Sequence, residues 1–189
     1  MQKSDFELLI PILSLEEGKR PFSFSVPAGD FPVLGAMEQD GEVLFLSPIE
    51  IRIVFHRVDE IYRGEGAVST RVELQCGRCL EKFEFRLEEE LSLLFSHCSG
   101  DRRDRSDPEE LEITSEEVGL IFFSGEAIDL GAAVQEQLLM ALPVRPLCRE
   151  GCRGLCPWCG ADLNRESCRC GEAEVKPQWA PLAGLKLKE

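Results

Sequence analysis

Nine cysteines occur in the chain, and eight of them fall in four close pairs: Cys76/Cys79, Cys148/Cys152, Cys156/Cys159 and Cys168/Cys170. Cys98 stands alone. Two cysteines separated by two residues can reach one ion from a single tight turn, so each such knuckle supplies half of a four-thiolate site. Eight paired cysteines make two sets of four, and the expectation is two structural zinc ions. In a reducing compartment, metal is a stronger explanation for such pairs than disulfides. The segment CPWCG adds detail: Pro157 suits the first turn position, and Gly160 tolerates the left-handed backbone that aims amide hydrogens at sulfur. Cys98 has no close partner and reads as a buried small hydrophobe.

Two combinations of the pairs are open. In the first, Cys156 and Cys159 join Cys168 and Cys170 across the short stretch GADLNRES, while Cys76 and Cys79 join Cys148 and Cys152. In the second, Cys148, Cys152, Cys156 and Cys159 form one site and Cys76, Cys79, Cys168 and Cys170 the other. The first is favoured, because a second knuckle usually returns after a short loop in a ribbon-like module.

Catalytic patterns are missing. The CxxC pairs CGRC and CPWC match the spacing of thiol oxidoreductases, but that motif should open a helix in a βαβ setting, and neither does here. The zinc deaminase signature needs H-x-E and then P-C-x-x-C. His56 and His97 lack the Glu, and Pro157 follows its cysteine. No GxxxxGK[ST], GxGxxG or GxSxG is present. The chain reads as a non-enzyme, without a small-molecule substrate. The run Glu88–Glu90 reads as a solvated face.

Alternation of apolar residues points to strands. Residues 5–13 and 21–26 read as short strands, and the Pro- and Gly-rich stretch 27–41 as a loop. Ile49, Ile51, Ile53 and Phe55 form one row; Val68, Thr70, Val72 and Leu74 form the next. Gly64 and Gly66 read as a turn or bulge. A third row runs through Phe83, Phe85, Leu87, Leu91, Leu93 and Phe95, interrupted by Glu89, which implies a bulge or an edge. The CGRC knuckle between these rows should sit at a hairpin tip. Residues 99–110 read as a solvated loop and 118–123 as a buried strand. A helix is expected near 129–142, with Asp129 as N-cap and Pro143 as terminator.

The expected fold is α+β: a mainly antiparallel sheet or partly open barrel of five or six strands, one main helix, and a zinc-ribbon-like cysteine module. Residues 1–147 would form the β-rich domain, 148–172 the module packed on it, and 173–189 a tail. The N-terminus lacks a signal-peptide pattern, and no apolar run reaches the ~18 residues that cross a bilayer. The expectation is therefore a cytoplasmic protein with no membrane partner.

The net charge of −14 argues against a broad basic face for nucleic acid. The charge is uneven, however. Residues 81–117 carry net −8, whereas 144–189 carry net +2. Arg145, Arg149, Arg153, Arg165 and Arg169 lie in or beside the cysteine module, Arg78 lies inside the first knuckle, and Trp158 is in the CPWC turn. Arginines beside an exposed aromatic can grip phosphates and stack on a base. The same arginines could instead offset thiolate charge, with Trp158 packed over its knuckle.

Three segments, CGRCLEKF (76–83), IDLGAAVQEQLLMALPVRPLC (128–148) and CRGLCPWCGADLN (152–164), together resemble the bacterial YceD family of large ribosomal RNA subunit accumulation proteins. The resemblance spans about residues 20 to 170. It implies a non-enzymatic role in accumulation of large-subunit (23S) rRNA during ribosome biogenesis. The implied partner is a precursor of the large subunit, met either through its rRNA or through a basic ribosomal protein. The residues alone also admit a zinc-ribbon adaptor in another complex, such as one of transcription, or a thiol-based redox protein.

Overall fold

Strict alternation builds the centre of the molecule. In the computed structural model, which describes residues 8–15, 18–97 and 119–170, strand β4 (Ile49–Val58) buries Ile49, Ile51, Ile53 and Phe55 and exposes the residues between them, save the half-buried His56. Full burial of each such side chain contributes roughly 1.5–3 kcal/mol. Strand β5 (Ile61–Gln75) buries Tyr62, Val68, Thr70, Val72 and Leu74. Strand β6 (Lys82–His97) buries Leu87, Leu91, Leu93 and Phe95. Strand β2 (Arg20–Val26) pairs with β4, and β3 (Leu44–Phe45) adds to the far end of β5.

The main sheet runs β2-β4-β5-β6-β7, where β7 is Leu120–Phe123. Among the described residues its two edges do not pair, so the sheet is open and not closed into a barrel. The pairing is antiparallel except at β6–β7, which is parallel. In place of the buried strand expected at 118–123, β7 exposes Ile121 and Phe122, because it forms the sheet edge. A separate two-stranded ribbon joins β1 (Leu9–Pro11) to β8 (Ala127–Asp129). Of the expected strand at 5–13, Leu9–Pro11 form β1, and a single 3-10 turn follows at Ile12–Leu15. Residues 5–7 of that expectation, the acidic loop at 99–110, the tail at 173–189 and Cys98 lie outside the described residues.

Among the described residues there are two α-helices, not one. Residues 27–41, expected as a loop, hold α1 (Pro32–Gln39), with Pro32 in its first turn. Proline suits that place because its missing N–H has no intrahelical partner there. Helix α2 (Gly131–Ala141) buries Ala133, Val134 and Leu138. Asp129 is not its N-cap, which is Leu130; instead Gly131 N–H donates to Asp129 Oδ1 at 2.7 Å, just ahead of the helix.

Gly64 and Gly66 mark neither a turn nor a bulge. Both lie inside β5, whose register with β6 is unbroken from Ile61↔Ser96 to Gln75↔Lys82. They are needed because neighbours pass close. A Cβ at Gly64 would lie 2.6 Å from Phe55 Cζ, and one at Gly66 would overlap the Arg52 carbonyl oxygen. The unbroken register also removes the bulge expected at Glu89. Strand β7 pairs only with Leu94–His97, so among the described residues β6 is an edge at Glu89, and the carboxylate is solvated.

Apolar packing continues towards the cysteines. The main core fills the space between sheet, α2 and the β1–β8 ribbon. Val43, Val72 and Leu74 extend it along β5, and Phe83 joins that group to Cys76, Cys79 and Cys152.

Replacing Gly66 with alanine is expected to cost about 3 kcal/mol or more in denaturant unfolding, since backbone must move to relieve the overlap. Gly151→Ala, where a Cβ meets nothing within 4 Å, should stay within about 0.5 kcal/mol of the parent.

Candidate metal centre

The turn between β5 and β6 is the CGRC knuckle. Leu80 N–H donates to Cys76 O at 3.0 Å, Cys76 N–H to Glu81 O at 2.9 Å, and Arg78 N–H points at Cys76 Sγ at 3.5 Å. The CPWC knuckle repeats the pattern. Gly160 N–H donates to Cys156 O at 2.9 Å, Cys156 N–H to Ala161 O at 2.8 Å, and Trp158 N–H points at Cys156 Sγ at 3.5 Å. Both turns end in the left-handed region, at φ 62° for Leu80 and 75° for Gly160. A leucine there costs about 1–2 kcal/mol.

The knuckles belong to separate clusters. Cys76, Cys79, Cys148 and Cys152 form one set and Cys156, Cys159, Cys168 and Cys170 the other, and within each all sulfurs lie within 4.8 Å of one another. This is the first of the two combinations above. In the first cluster, Cys76 and Cys152 sulfurs are 3.8 Å apart, and those of Cys79 and Cys148 3.7 Å. In the second, Cys168 Sγ lies 3.3 Å from Cys156 and 3.4 Å from Cys159. A tetrahedral ion with metal–sulfur bonds of about 2.3 Å has sulfur–sulfur edges of about 3.8 Å. Both clusters could therefore hold a metal ion.

Their settings differ. Cys76, Cys79 and Cys152 are buried, with Phe83, Leu147, Cys148 and Leu155 packed around them. In the second cluster only Cys156 is buried; Cys159 and Cys170 are exposed. Its segment contains one isolated antiparallel bridge, Leu155↔Asp162, in place of the strand pair of a full ribbon.

Without an ion, each cluster favours one thiolate and resists more. Amide hydrogens of Cys79 and Cys148 draw the Cys76 thiol down to about 6, and those of Cys159 and Trp158 do the same for Cys156. Burial and the neighbouring thiols push Cys148 up to about 12. The Cys168 and Cys159 thiols push Cys170 up to about 12. The Glu81 amide favours a thiolate at Cys79, but burial and the Cys76 and Cys152 thiols outweigh it and raise that group. Cys168 is also raised: Cys170 pulls it down, but the Cys156 and Cys159 thiols prevail. A bound cation must displace these protons, so affinity rises with pH.

Asn164, which the sequence reading did not single out, links the clusters. Its amide nitrogen donates to Cys152 Sγ at 3.5 Å and to Asp162 Oδ1 at 2.8 Å, and its oxygen accepts from Arg153 N–H at 2.8 Å. The Asn164 backbone N–H, which donates to Asp162 Oδ1 at 2.9 Å, and then its side-chain amide hold the Asp162 carboxyl below its ordinary range. A polar side chain between two cysteine pairs was the available signal. Two backbone contacts complete the link: Leu155 N–H donates to Arg78 O, and Gly154 at φ 74° lets Arg78 pass beside it.

The arginines divide. Arg78 Nη1 donates to Cys152 O at 2.8 Å, and Arg165 bridges Glu81 at 2.7 Å and Asp162 at 3.3 Å, so both hold the module together. Arg145, Arg149, Arg153 and Arg169 are exposed. Trp158 is 61% exposed rather than packed over its knuckle. His97, far along β6, lies against Phe123 and within 3.2 Å of Gly125 O, and takes no part in either cluster.

An open sheet whose longest hairpin carries a four-cysteine cluster at its tip, with a second cluster beside it, defines a β protein with two cysteine clusters that could each hold a metal ion. The chain belongs to the YceD family: the family model, described as large ribosomal RNA subunit accumulation protein YceD, matches residues 64–186. An uncharacterized protein of Mycobacterium tuberculosis is 33% identical over 132 residues, covering 68% of this chain and 59% of that protein. The chloroplastic YCED homolog 1 of Arabidopsis thaliana, named a large ribosomal RNA subunit accumulation protein, is 26% identical over 159 residues, covering 74% of this chain and 49% of that one. The chain thus spans half to three-fifths of the length of these relatives. No solved structure matches it significantly. No helix among the described residues is long and apolar enough to cross a membrane.

Cys76→Ser should destabilise the metal-loaded protein more than Cys168→Ser. The first cluster ties Cys76 to Cys148 across about seventy positions, the second ties Cys156 to Cys168 across about twelve, and closing the longer loop is worth roughly 1.5 kcal/mol more. Thermal melts check the order; equal losses would contradict it. A chelator should likewise strip the exposed second cluster before the buried first.

Proposed function

We propose that this protein is a non-catalytic assembly factor that supports accumulation of large-subunit (23S) rRNA and holds two structural zinc ions. The observation that carries the reading is the family match over residues 64–186, which contains all eight clustered cysteines. Four thiolates fill the tetrahedron of a zinc ion and leave no open position for a substrate or activated water, which supports a structural role for the metal. The first ion would lock the β5–β6 tip to the chain leaving α2; the second would shape the exposed loop that carries Trp158.

The partner in this reading is a precursor of the large subunit. Contact through its rRNA is better supported than contact through a basic ribosomal protein. The acidic side chains of β5 and β6 are largely paired within the sheet: Glu65 with Arg63, Glu84 with Arg71, Glu73 with Lys82 and Glu88 with Arg86. A basic partner would have to compete with these arginines and lysine. Arg145, Arg149, Arg153 and Arg169, exposed in or beside the cysteine module, carry no such pairing among the described residues.

Elemental analysis of protein purified under reducing conditions with zinc supplied should give about two zinc ions per chain; a content near zero would overturn the metal reading. A deletion strain should accumulate less large-subunit rRNA, with the small-subunit rRNA not directly affected. Normal subunit profiles would contradict the rRNA reading, and co-purification with RNA polymerase instead of large-subunit precursors would replace it by the adaptor reading.

A further inference from the structure

The two knuckles share one hydrogen-bond pattern but differ at their tips. The left-handed position is Gly160 in one and Leu80 in the other. Leucine is strained in that conformation, and Leu80 does not recover the cost by burial, being 55% exposed. Strain kept at an exposed apolar side chain points to a contact made outside the chain. In the other knuckle the tip residue is Trp158, 61% exposed, whose indole packs into no core cluster. The knuckles are joined by Leu155 N–H to Arg78 O at 3.1 Å, and Arg165 reaches Glu81, the residue after Leu80, at 2.7 Å. Both tips thus stand within three residues of the contact that joins the modules.

Around them stand uncommitted cationic side chains, whose charge is set against the net negative charge that a zinc ion with four thiolates would carry. Arg145, Arg149, Arg153 and Arg169 are exposed, and their guanidinium groups make no hydrogen bond or ion pair with other described residues, although Arg149 acts on Asp162 through space. The nearby carboxylates Glu81 and Asp162 are already engaged by Arg165; Glu150 and Glu166 are the exposed acids of the segment. An aromatic and a leucine set among unpaired arginines fit a ligand with a flat apolar face and regularly spaced anions.

We propose that the knuckle tips form a single-stranded RNA contact, in which Trp158 stacks on an unpaired base, Leu80 packs against the same or the next nucleotide, and the exposed arginines hold the flanking phosphates. The inference rests on the rRNA reading above and supplies its contact site. Stacking on one aromatic is tolerant of base identity, so the site selects unpaired structure rather than sequence. A duplex hides its base faces and is not a ligand for it.

The test uses the 189-residue, zinc-loaded chain carrying Trp179→Phe, which leaves Trp158 as its one tryptophan. The probe is an oligoadenylate of about twelve nucleotides, within the range of single-strand site sizes. Trp158 emission should be quenched by the single strand and not by a duplex of the same length. Affinity should fall about tenfold in Trp158→Ala and stay within about threefold in Trp158→Phe. Raising salt should weaken binding with a slope of about −0.7 per phosphate held. Leu80→Gly is the sharper variant: it relieves strain, so the melting temperature should hold or rise while affinity falls. Emission unmoved by RNA, or parental affinity in both Trp158→Ala and Leu80→Gly, overturns the proposal. Quenching by a lysine-rich peptide but not by RNA also overturns it, and assigns the tips to a protein partner. A deletion strain with lowered large-subunit rRNA alongside a negative RNA assay would leave the functional reading standing and remove only this site.

Discussion

Fifteen consecutive antiparallel pairs join β5 to β6, from Ile61↔Ser96 at one end to Gln75↔Lys82 at the other. The position of the first cysteine cluster depends on that register. A slip by one residue would put Leu87 and Leu91 on the face opposite Val68 and Val72, so burial of one face fixes the pairing. The fixed pairing in turn places the CGRC turn at the far tip, beyond the core. Gly64 and Gly66 keep the ladder intact where Phe55 and the backbone of Arg52 press against it.

The tip does not stand alone. The chain leaving α2 returns beside it, where Gly77 N–H donates to Pro146 O at 2.8 Å, and Cys148 and Cys152 then face Cys76 and Cys79. The first cluster is therefore a tertiary site, with apolar packing continuous with the sheet through Phe83. The second is a local site on a short, exposed loop. Its position follows from the first through Asn164, Arg165 and the Leu155–Arg78 contact. This order explains how one chain can carry a buried cysteine cluster and a more accessible one a few residues apart.

Much of this was legible in the residues. The period-two rows were long and clean, and they located β4, β5 and β6 with the hairpin tip between the last two. Helix α2 was visible from its spacing and from Pro143. Other elements carried weaker signals. Helix α1 is short, and Gly35 within it reads as a breaker, yet the glycine is there because a Cβ would sit 3.2 Å from the Gly29 backbone. Strands β1 and β8 are three residues each and exist only because they pair with one another. The apolar run at β7 looked buried because composition does not distinguish a central strand from an edge.

The sequence by itself determined that eight cysteines act as four pairs, that CPWCG is a knuckle, and that the long alternating runs are strands. These are local properties, set by chain geometry over a few residues. Only the tertiary structure decided which pairs share a cluster, because two combinations satisfy the same spacing and the β5–β6 register together with the path out of α2 selects between them. It also decided that Arg78 and Arg165 are structural while Arg145, Arg149, Arg153 and Arg169 face solvent. Whether a charged side chain is committed depends on partners brought near from distant positions, such as Glu81 beside Arg165, and no local pattern carries that information.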